Sequence, residues 1–123
     1  MQRAAIIGTG YYVPERVITN EDLTRWMDTT DEWITERSGI KERRWIPQDE
    51  DGWTELSGAE MGAAAARMAI EDAGIEASEI DLVLYGTLNP DIMFPGNGVF
   101  IEDLLGLGTA GAMDIRNQCT GFV

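Results

Sequence analysis

The sequence predicts an α/β layered fold built on a mainly parallel sheet. Short apolar runs with the composition of buried strands alternate along the chain with longer segments whose apolar residues recur every three or four positions. The chain has 123 residues, of which 44% are apolar, and this is enough to bury one hydrophobic core. Residues 1–123 are therefore interpreted as a single domain, without repeats or an interdomain linker.

The amino-terminal segments predict one strand followed by two short helices. Residues 4–7 are apolar and end at a glycine turn, which is typical of a short buried strand. Thr19 or Asn20 can cap a helix, because acidic residues follow in what would be its first turn. A further helical turn is expected over residues 30–37, ended by Gly39.

The clearest helix in the sequence covers residues 57–73. Its start has the form of a capping box, Gly74 is a natural residue to end it, and small apolar residues line one face. Before this helix, residues 40–46 are expected to run extended and residues 47–52 to form a polar loop. That loop lacks the ligand pattern of a calcium site, so it predicts no metal binding.

The remaining part of the chain predicts two more strands with a helix between them. Residues 80–85 and 112–116 have the composition of buried strands, and residues 99–105 that of a helix. A loop over residues 89–96 precedes this helix. The second strand leads directly into Cys119.

Charge and composition exclude several classes of protein. The chain has 22 acidic and 9 basic residues, and its net charge of −13 opposes binding to nucleic acid or to an anionic membrane. One cysteine cannot form an internal disulfide, and without histidine the commonest metal ligand is missing. The amino terminus does not match a signal peptide, and no run approaches the roughly 18 apolar residues of a membrane span. We expect a cytoplasmic protein without a metal site.

Cys119 is the first candidate for chemistry. A sharp strand-to-helix turn around Cys119 and Gly121 would expose the sulfur beside backbone N–H groups. Such groups stabilise a thiolate and the oxyanion of a tetrahedral intermediate. A lone cysteine can equally be a small buried apolar residue, and the spacing leaves both interpretations open.

The second candidate is a basic and aromatic segment. Four of the nine basic residues fall within eight positions, namely Arg37, Lys41, Arg43 and Arg44. On a helix Trp33 would neighbour Arg37, and an indole beside a guanidinium can stack on a purine while the arginine binds phosphate. The alternative is a solvated helix end with Trp33 packed inward.

The glycine pair Gly8 and Gly10 is a weak candidate for dinucleotide binding. Val13 occupies the third glycine position of that motif, and Pro14 follows where a helix should begin. The sequence therefore gives little support to a dinucleotide site.

Six segments match one enzyme family in the family's own order. They are residues 7–14, 28–34, 37–44, 66–75, 81–87 and 114–122, and the most specific is Asp-Glu-Trp-Ile at 31–34 followed by Arg-Ser-Gly-Ile at 37–40. Together they resemble the β-ketoacyl-acyl carrier protein synthase III enzymes of the thiolase-like superfamily. The resemblance implies a layered αβαβα fold, of which this chain is most of the amino-terminal half.

The resemblance also implies an activity and the roles of five residues. Cys119 would be the nucleophile, which takes an acyl group from coenzyme A and passes it, by decarboxylative condensation, to a malonyl thioester on acyl carrier protein. Thr29, Trp33 and Arg37 would bind coenzyme A. Phe94 would reach across a homodimer to the partner's acyl pocket, or else be an ordinary buried aromatic of a loop. No resident cofactor is implied, because acyl-coenzyme A and the malonyl thioester are substrates.

Two departures from the family leave alternatives open. The family's catalytic His and Asn come from a carboxy-terminal half, so we expect these 123 residues to be part of a longer chain or assembly. Residues 116–120 replace the small residues usual around the cysteine, and relatives that condense other acyl groups are closer here. The alternatives are a thiolase-fold condensing or acyl-transfer enzyme of secondary metabolism, or a non-catalytic partner subunit.

Overall fold

The computed structural model describes residues 3–46 and 56–122. The chain forms two compact units, one from Met1–Tyr12 with Ser57–Val123 and the other from Val13–Leu56. The assignment of residues 1–123 to one amino-terminal thiolase-like half-domain stays a prediction. The polar loop predicted over residues 47–52 lies outside the described residues.

The unit Val13–Leu56 contains two helices and a two-stranded antiparallel sheet. Its elements are β1 (Arg16–Thr19), α1 (Asn20–Leu23), α2 (Asp31–Ser38) and β2 (Glu42–Trp45). The strands pair with Arg16 opposite Trp45 and Thr19 opposite Glu42. The sequence pattern does not reveal β1, because Ile18 is its one buried residue and a single apolar position shows no alternation.

Both helices of this unit begin at the predicted threonines. The Thr19 hydroxyl accepts a hydrogen bond from the Asp22 N–H, and the Asp22 carboxylate accepts one from the Thr19 N–H, which completes a capping box on α1. Thr30 caps α2, and Gly39 ends it with a left-handed φ of 71°. The extended segment expected over residues 40–46 contains β2.

The other unit packs two helices against one face of a parallel strand pair. Its elements are α3 (Gly58–Ala73), β3 (Leu82–Gly86), α4 (Gly98–Leu105) and β4 (Gly111–Ile115), with 3₁₀ turns at Ala77–Glu79 and Cys119–Phe122. β3 runs parallel to β4, with Leu82 opposite Gly111 and Gly86 opposite Ile115. The helix α4 lies between these strands in the chain, so the predicted α/β organisation is confirmed.

The core of this unit lies where α3 meets α4. Ala59 and Ala63 of α3 and Ile101 of α4 are buried, and Val83 and Tyr85 of β3 pack against them. The small alanine side chains let the helix approach its neighbours closely, as the apolar face predicted. The predicted capping box and the terminal glycine of α3 are both present.

One strand prediction is wrong, and a second is correct in its position but not in its burial. Residues 4–7 are exposed and belong to neither of the two sheets that the structure describes, so they have no strand partner there. The glycines that follow pack on α3: a Cβ on Gly10 would lie 2.1 Å from the Ala65 carbonyl oxygen. The strand predicted over residues 80–85 is β3, but it is not buried on both faces. Leu82 and Leu84 are exposed, because the helices of this unit cover the opposite face.

Candidate functional site

Cys119 lies at a turn that follows β4. It is the first residue of the 3₁₀ turn Cys119–Phe122, and it is exposed. The Gly121 N–H donates a hydrogen bond to the Gln118 carbonyl at 2.9 Å, which closes the turn. The interpretation of Cys119 as a small buried residue is therefore wrong for this chain. An exposed sulfur in a tight turn after a strand is accessible from solvent.

The Cys119 turn lies against the end of β3. A Cβ on Gly86 would lie 2.6 Å from the Gly121 carbonyl oxygen, which is closer than real Cβ atoms approach, and 3.2 Å from its carbon. Gly86 therefore permits the backbone of the turn to approach the strand. Cys119 and its turn lie at the carboxyl ends of the parallel pair, where open α/β sheets place their sites.

A loop joined to α3 by polar side chains, of which Asn97 is buried, lies beside this strand pair. The Asn97 side-chain oxygen accepts from the Asp91 N–H at 2.9 Å, and its amide group donates to the Asp91 carboxylate at 2.8 Å. The same carboxylate accepts from the N–H groups of Gly58 and Ala59 at 2.8 and 2.9 Å. These are orphan donors in the first turn of α3, and a carboxylate there also complements the helix dipole.

Two charged residues from the end of β4 hold the same loop. The Asp114 carboxylate accepts from the N–H groups of Asn97 and Gly98 at 2.8 and 2.7 Å. The Arg116 guanidinium donates to the Met93 carbonyl and approaches the Met93 sulfur at 3.5 Å. No local pattern identifies these residues in the sequence, because their partners lie 16 to 23 positions away.

Tyr85 completes this buried polar group. Its hydroxyl donates to the Gly58 carbonyl at 3.2 Å. Burial raises the pKa of Tyr85 above its ordinary value of 10.0. The hydrogen bond with Asn97 opposes this rise, and the nearby Asp91 and Asp114 carboxylates add to it.

Phe94 lies at the tip of the anchored loop. Its side chain is 86% exposed, and Ile92 and Met93 beside it are exposed as well. The interpretation of Phe94 as an ordinary buried aromatic is therefore wrong for this chain. A group of exposed apolar side chains on an ordered loop is typical of an interaction surface. The role of Phe94 across a homodimer stays a prediction.

Trp33 and Arg37 contact each other on α2. The Arg37 guanidinium carbon lies 4.7 Å from the centre of the Trp33 ring, so their predicted proximity is confirmed. Trp33 is 55% exposed, and the alternative with the indole packed inward is wrong for this chain. The pair presents an aromatic surface and a cation on one exposed helix face.

The other arginines of the basic segment form hydrogen bonds within the Val13–Leu56 unit. Arg43 donates to the Asn20 side-chain oxygen at 2.6 Å and to the Ile18 carbonyl at 3.2 Å. Arg44 donates to the Glu15 carbonyl at 3.0 Å. Both arginines therefore tie β2 to the segment around β1, and the cluster seen in the sequence does not act as one phosphate site.

Thr29 lies near the start of α2 and lines a cavity of about 440 Å³, whose wall includes Thr30, Asp31 and Lys41. Within residues 3–46 and 56–122, the Thr29 Oγ1 is buried and has no hydrogen-bond partner. A buried hydroxyl without a partner is costly, so this oxygen is suited to bind a polar atom of a ligand or a water molecule.

The glycine pair near the amino terminus does not form a dinucleotide site. The Thr9 N–H, between the two glycines, donates to the Asp72 carboxylate at 2.9 Å, and a carboxylate there repels a pyrophosphate. In the part of the chain that the structure describes, no cluster of three or more potential ligands could hold a metal ion. No helix of that part is long and apolar enough to cross a membrane.

Sequence comparison relates the chain to one family of synthases. It is 47% identical over 120 residues to the β-ketoacyl-[acyl-carrier-protein] synthase III of Geobacillus kaustophilus, over 98% of this chain and 37% of the relative. The corresponding protein of Clostridium acetobutylicum is 43% identical over 123 residues, or 36% of its length. The chain is homologous to β-ketoacyl-[acyl-carrier-protein] synthase III. No family model matches it.

Solved structures of a synthase III and of a priming β-ketosynthase share the fold. The 3-oxoacyl-[acyl-carrier-protein] synthase III of Aquifex aeolicus superposes with a TM-score of 0.85 at 41% identity, over 95% of this chain and 36% of that one. The priming β-ketosynthase of the R1128 polyketide pathway gives a TM-score of 0.83 at 39% identity, over 95% of this chain and 33% of that one. The predicted thiolase-like fold is confirmed. The chain spans about a third of the length of these relatives.

Proposed function

We propose that this chain carries the nucleophile of an acyltransferase that condenses an acyl-coenzyme A with malonyl-acyl carrier protein, as in the initiation of fatty-acid synthesis. The observation that carries the proposal is Cys119, exposed in a tight turn at the carboxyl ends of a parallel strand pair. The similarity to synthase III proteins over 98% of the chain supports it.

The proposed chemistry proceeds through a thioester on Cys119. The thiolate sulfur attacks the carbonyl carbon of the acyl-coenzyme A, and coenzyme A leaves as a thiolate that takes up a proton. The malonyl thioester then loses CO₂, and its α-carbon attacks the acyl carbonyl on Cys119. The Cys119 thiolate leaves, and the product is a β-ketoacyl thioester on the carrier protein. A covalent intermediate divides the condensation into two easier steps.

Three residues of the Val13–Leu56 unit are proposed to bind coenzyme A. Trp33 offers an exposed indole for the adenine, and Arg37 stacked on it offers a cation for phosphate. The Thr29 hydroxyl, which has no partner among residues 3–46 and 56–122, offers a hydrogen bond to the same ligand. The cluster in the sequence is thereby reduced to Arg37 and Lys41, since Arg43 and Arg44 bond within the unit.

The remaining features are proposed for the whole protein that carries this chain. It acts as a homodimer in the cytoplasm, with the exposed Phe94 tip bordering the partner's acyl pocket. It needs no resident cofactor, because both substrates bring their own thioester carriers. The missing general base and hydrogen-bond donor would come from residues outside these 123.

Mass spectrometry of the intact protein tests the proposal. Incubation with acyl-coenzyme A is expected to add one acyl group, and Cys119→Ser is expected to abolish the adduct. Adding malonyl-acyl carrier protein should then discharge the adduct as a β-ketoacyl product. Acylation that discharges without use of the malonyl donor would favour the acyl-transfer alternative. No adduct in the folded protein would contradict the proposal and favour a non-catalytic partner subunit.

A further inference from the structure

The apolar tip of the loop between Asp91 and Asn97 is held in place from within the same unit. The side chains of Phe94 and Met93 are 86% and 70% exposed. The loop backbone is nevertheless held at three points: the Asp91 N–H by Asn97, the Met93 carbonyl by Arg116 and the Asn97 N–H by Asp114. Ordering such a tip in advance reduces the conformational entropy that is lost on binding. The contacts that order the tip therefore influence whatever Phe94 binds.

Arg116 makes the contact nearest the tip. Its guanidinium donates a hydrogen bond to the Met93 carbonyl, one residue before Phe94, and a second N–H points at the Met93 sulfur. Within the described ranges Arg116 forms no salt bridge, and its guanidinium contacts Met93 of this loop instead. It also follows β4 directly and precedes Cys119 by three residues. One short segment thus carries the proposed nucleophile and the cation that holds the tip.

We infer that Arg116 is a positioning residue that sets the acyl-chain selectivity of Cys119 by holding the Phe94 tip. The inference rests on the proposed function, in which Phe94 borders an acyl pocket of a second copy. When Arg116 is removed, the loop base keeps its bonds to Asp114 and within the Asp91–Asn97 pair, while the tip becomes mobile. A mobile Phe94 limits the depth of a pocket less sharply, so acyl groups of different length are discriminated less.

The first test measures the mobility of the tip without any substrate. Thermolysin cleaves beside large apolar residues, and Arg116→Ala is expected to increase cleavage within residues 88–96 of the folded protein about tenfold, the equivalent of about 1.4 kcal/mol. Arg67→Ala is the matched control, because Arg67 also donates to a backbone carbonyl, that of Leu104, but away from the loop. Equal cleavage rates in the parent and in Arg116→Ala would overturn the inference.

The second test measures selectivity through the rate of Cys119 acylation. With acetyl-, hexanoyl- and decanoyl-coenzyme A, Arg116→Ala is expected to reduce the ratio between the best and the worst donor about tenfold. Arg116→Lys, which keeps a cationic donor, should restore part of that ratio. In a Phe94→Ala background the Arg116→Ala change should have no further effect, because Arg116 acts through Phe94. Independent, additive effects would overturn the inference and place Arg116 in direct contact with the acyl group or Cys119.

The two tests separate this inference from the proposed function. A parent protein that forms no acyl adduct would contradict the proposed function, and the cleavage rates would still decide whether Arg116 holds the tip. A parent that acylates normally, with an Arg116→Ala variant of unchanged cleavage and selectivity, would leave the proposed function intact and remove the role of Arg116.

Discussion

Asp91 and Asn97 close a ring of two hydrogen bonds, in which the Asn97 side chain accepts from the Asp91 N–H at 2.9 Å and donates to the Asp91 carboxylate at 2.8 Å. Asn97 is fully buried, and Asp91 also caps α3. The ring therefore joins the loop that carries Phe94 to the longest helix of the chain.

Replacing Asn97 by Ala is expected to lower the free energy of unfolding by about 1–3 kcal/mol, because it removes a fully buried amide that makes two hydrogen bonds to Asp91. Urea unfolding of the parent and the variant measures the difference. The control is Asn89→Ala in the same loop, where the side chain is exposed and a change within about 0.5 kcal/mol is expected. Equal losses in both variants would contradict the assigned role of Asn97.

Replacing Gly86 by Ala is expected to displace the Cys119 turn, because the new Cβ would lie 2.6 Å from the Gly121 carbonyl oxygen. Acylation of Cys119 should slow by about 100-fold, the effect of misplacing a reacting group by about 1 Å. Gly111→Ala in the partner strand is the control, since its Cβ would meet a flexible Leu82 side-chain atom at 3.3 Å. An unchanged acylation rate in Gly86→Ala would show that the turn tolerates the displacement.

The capping box of α3 is expected to make stability sensitive to acid. The hydrogen bonds from the Ser57 backbone and hydroxyl hold the pKa of Glu60 below its ordinary value of 4.5. A carboxyl group whose pKa is lower in the folded than in the unfolded state stabilises the fold at pH values above its unfolded pKa. This contribution is lost as the pH falls through the folded pKa. Between about pH 6 and about pH 3, the thermal midpoint of Glu60→Gln should therefore fall less than that of the parent.

The control for Glu60→Gln is Glu71→Gln on the same helix. Glu71 is exposed in the last turn of α3, away from the cap, so its replacement is expected to leave the acid dependence of the parent unchanged. Parallel curves for the parent and Glu60→Gln would mean that the capping box does not contribute to acid sensitivity.

Arg37→Ala is expected to weaken the binding of coenzyme A about tenfold. The change removes a cation that can bind phosphate, and it removes the group that stacks on the exposed Trp33 ring. Titration calorimetry with free coenzyme A measures the dissociation constant. Arg25→Ala is the charge-matched control, because Arg25 is an exposed arginine of the same unit paired with Asp22. If both variants bind coenzyme A equally weakly, the loss comes from net charge and not from a contact with Arg37.

Local chemistry made several elements predictable from the sequence. Threonine caps at Thr19 and Thr30, the capping box of α3 and the glycines that end α2, α3 and α4 act within a few residues, so their patterns are visible in the chain itself. The Trp33–Arg37 contact is predictable for the same reason, because four positions make one helical turn. Residues 4–7 and β1 are less predictable, since strands are defined by partners that are distant in sequence.

By itself the sequence determined the α/β class, the helix ends, the family resemblance and the choice of Cys119, Trp33 and Arg37 as candidate residues. Tertiary structure decided which groups are available to a ligand: Arg43 and Arg44 bond within the unit, whereas Thr29 keeps a buried hydroxyl without a partner among the described residues. It also brought Asp91, Asn97 and Arg116 together around the Phe94 tip. The physical reason is that caps and helix faces depend on near neighbours, while buried polar contacts depend on which distant segments pack together.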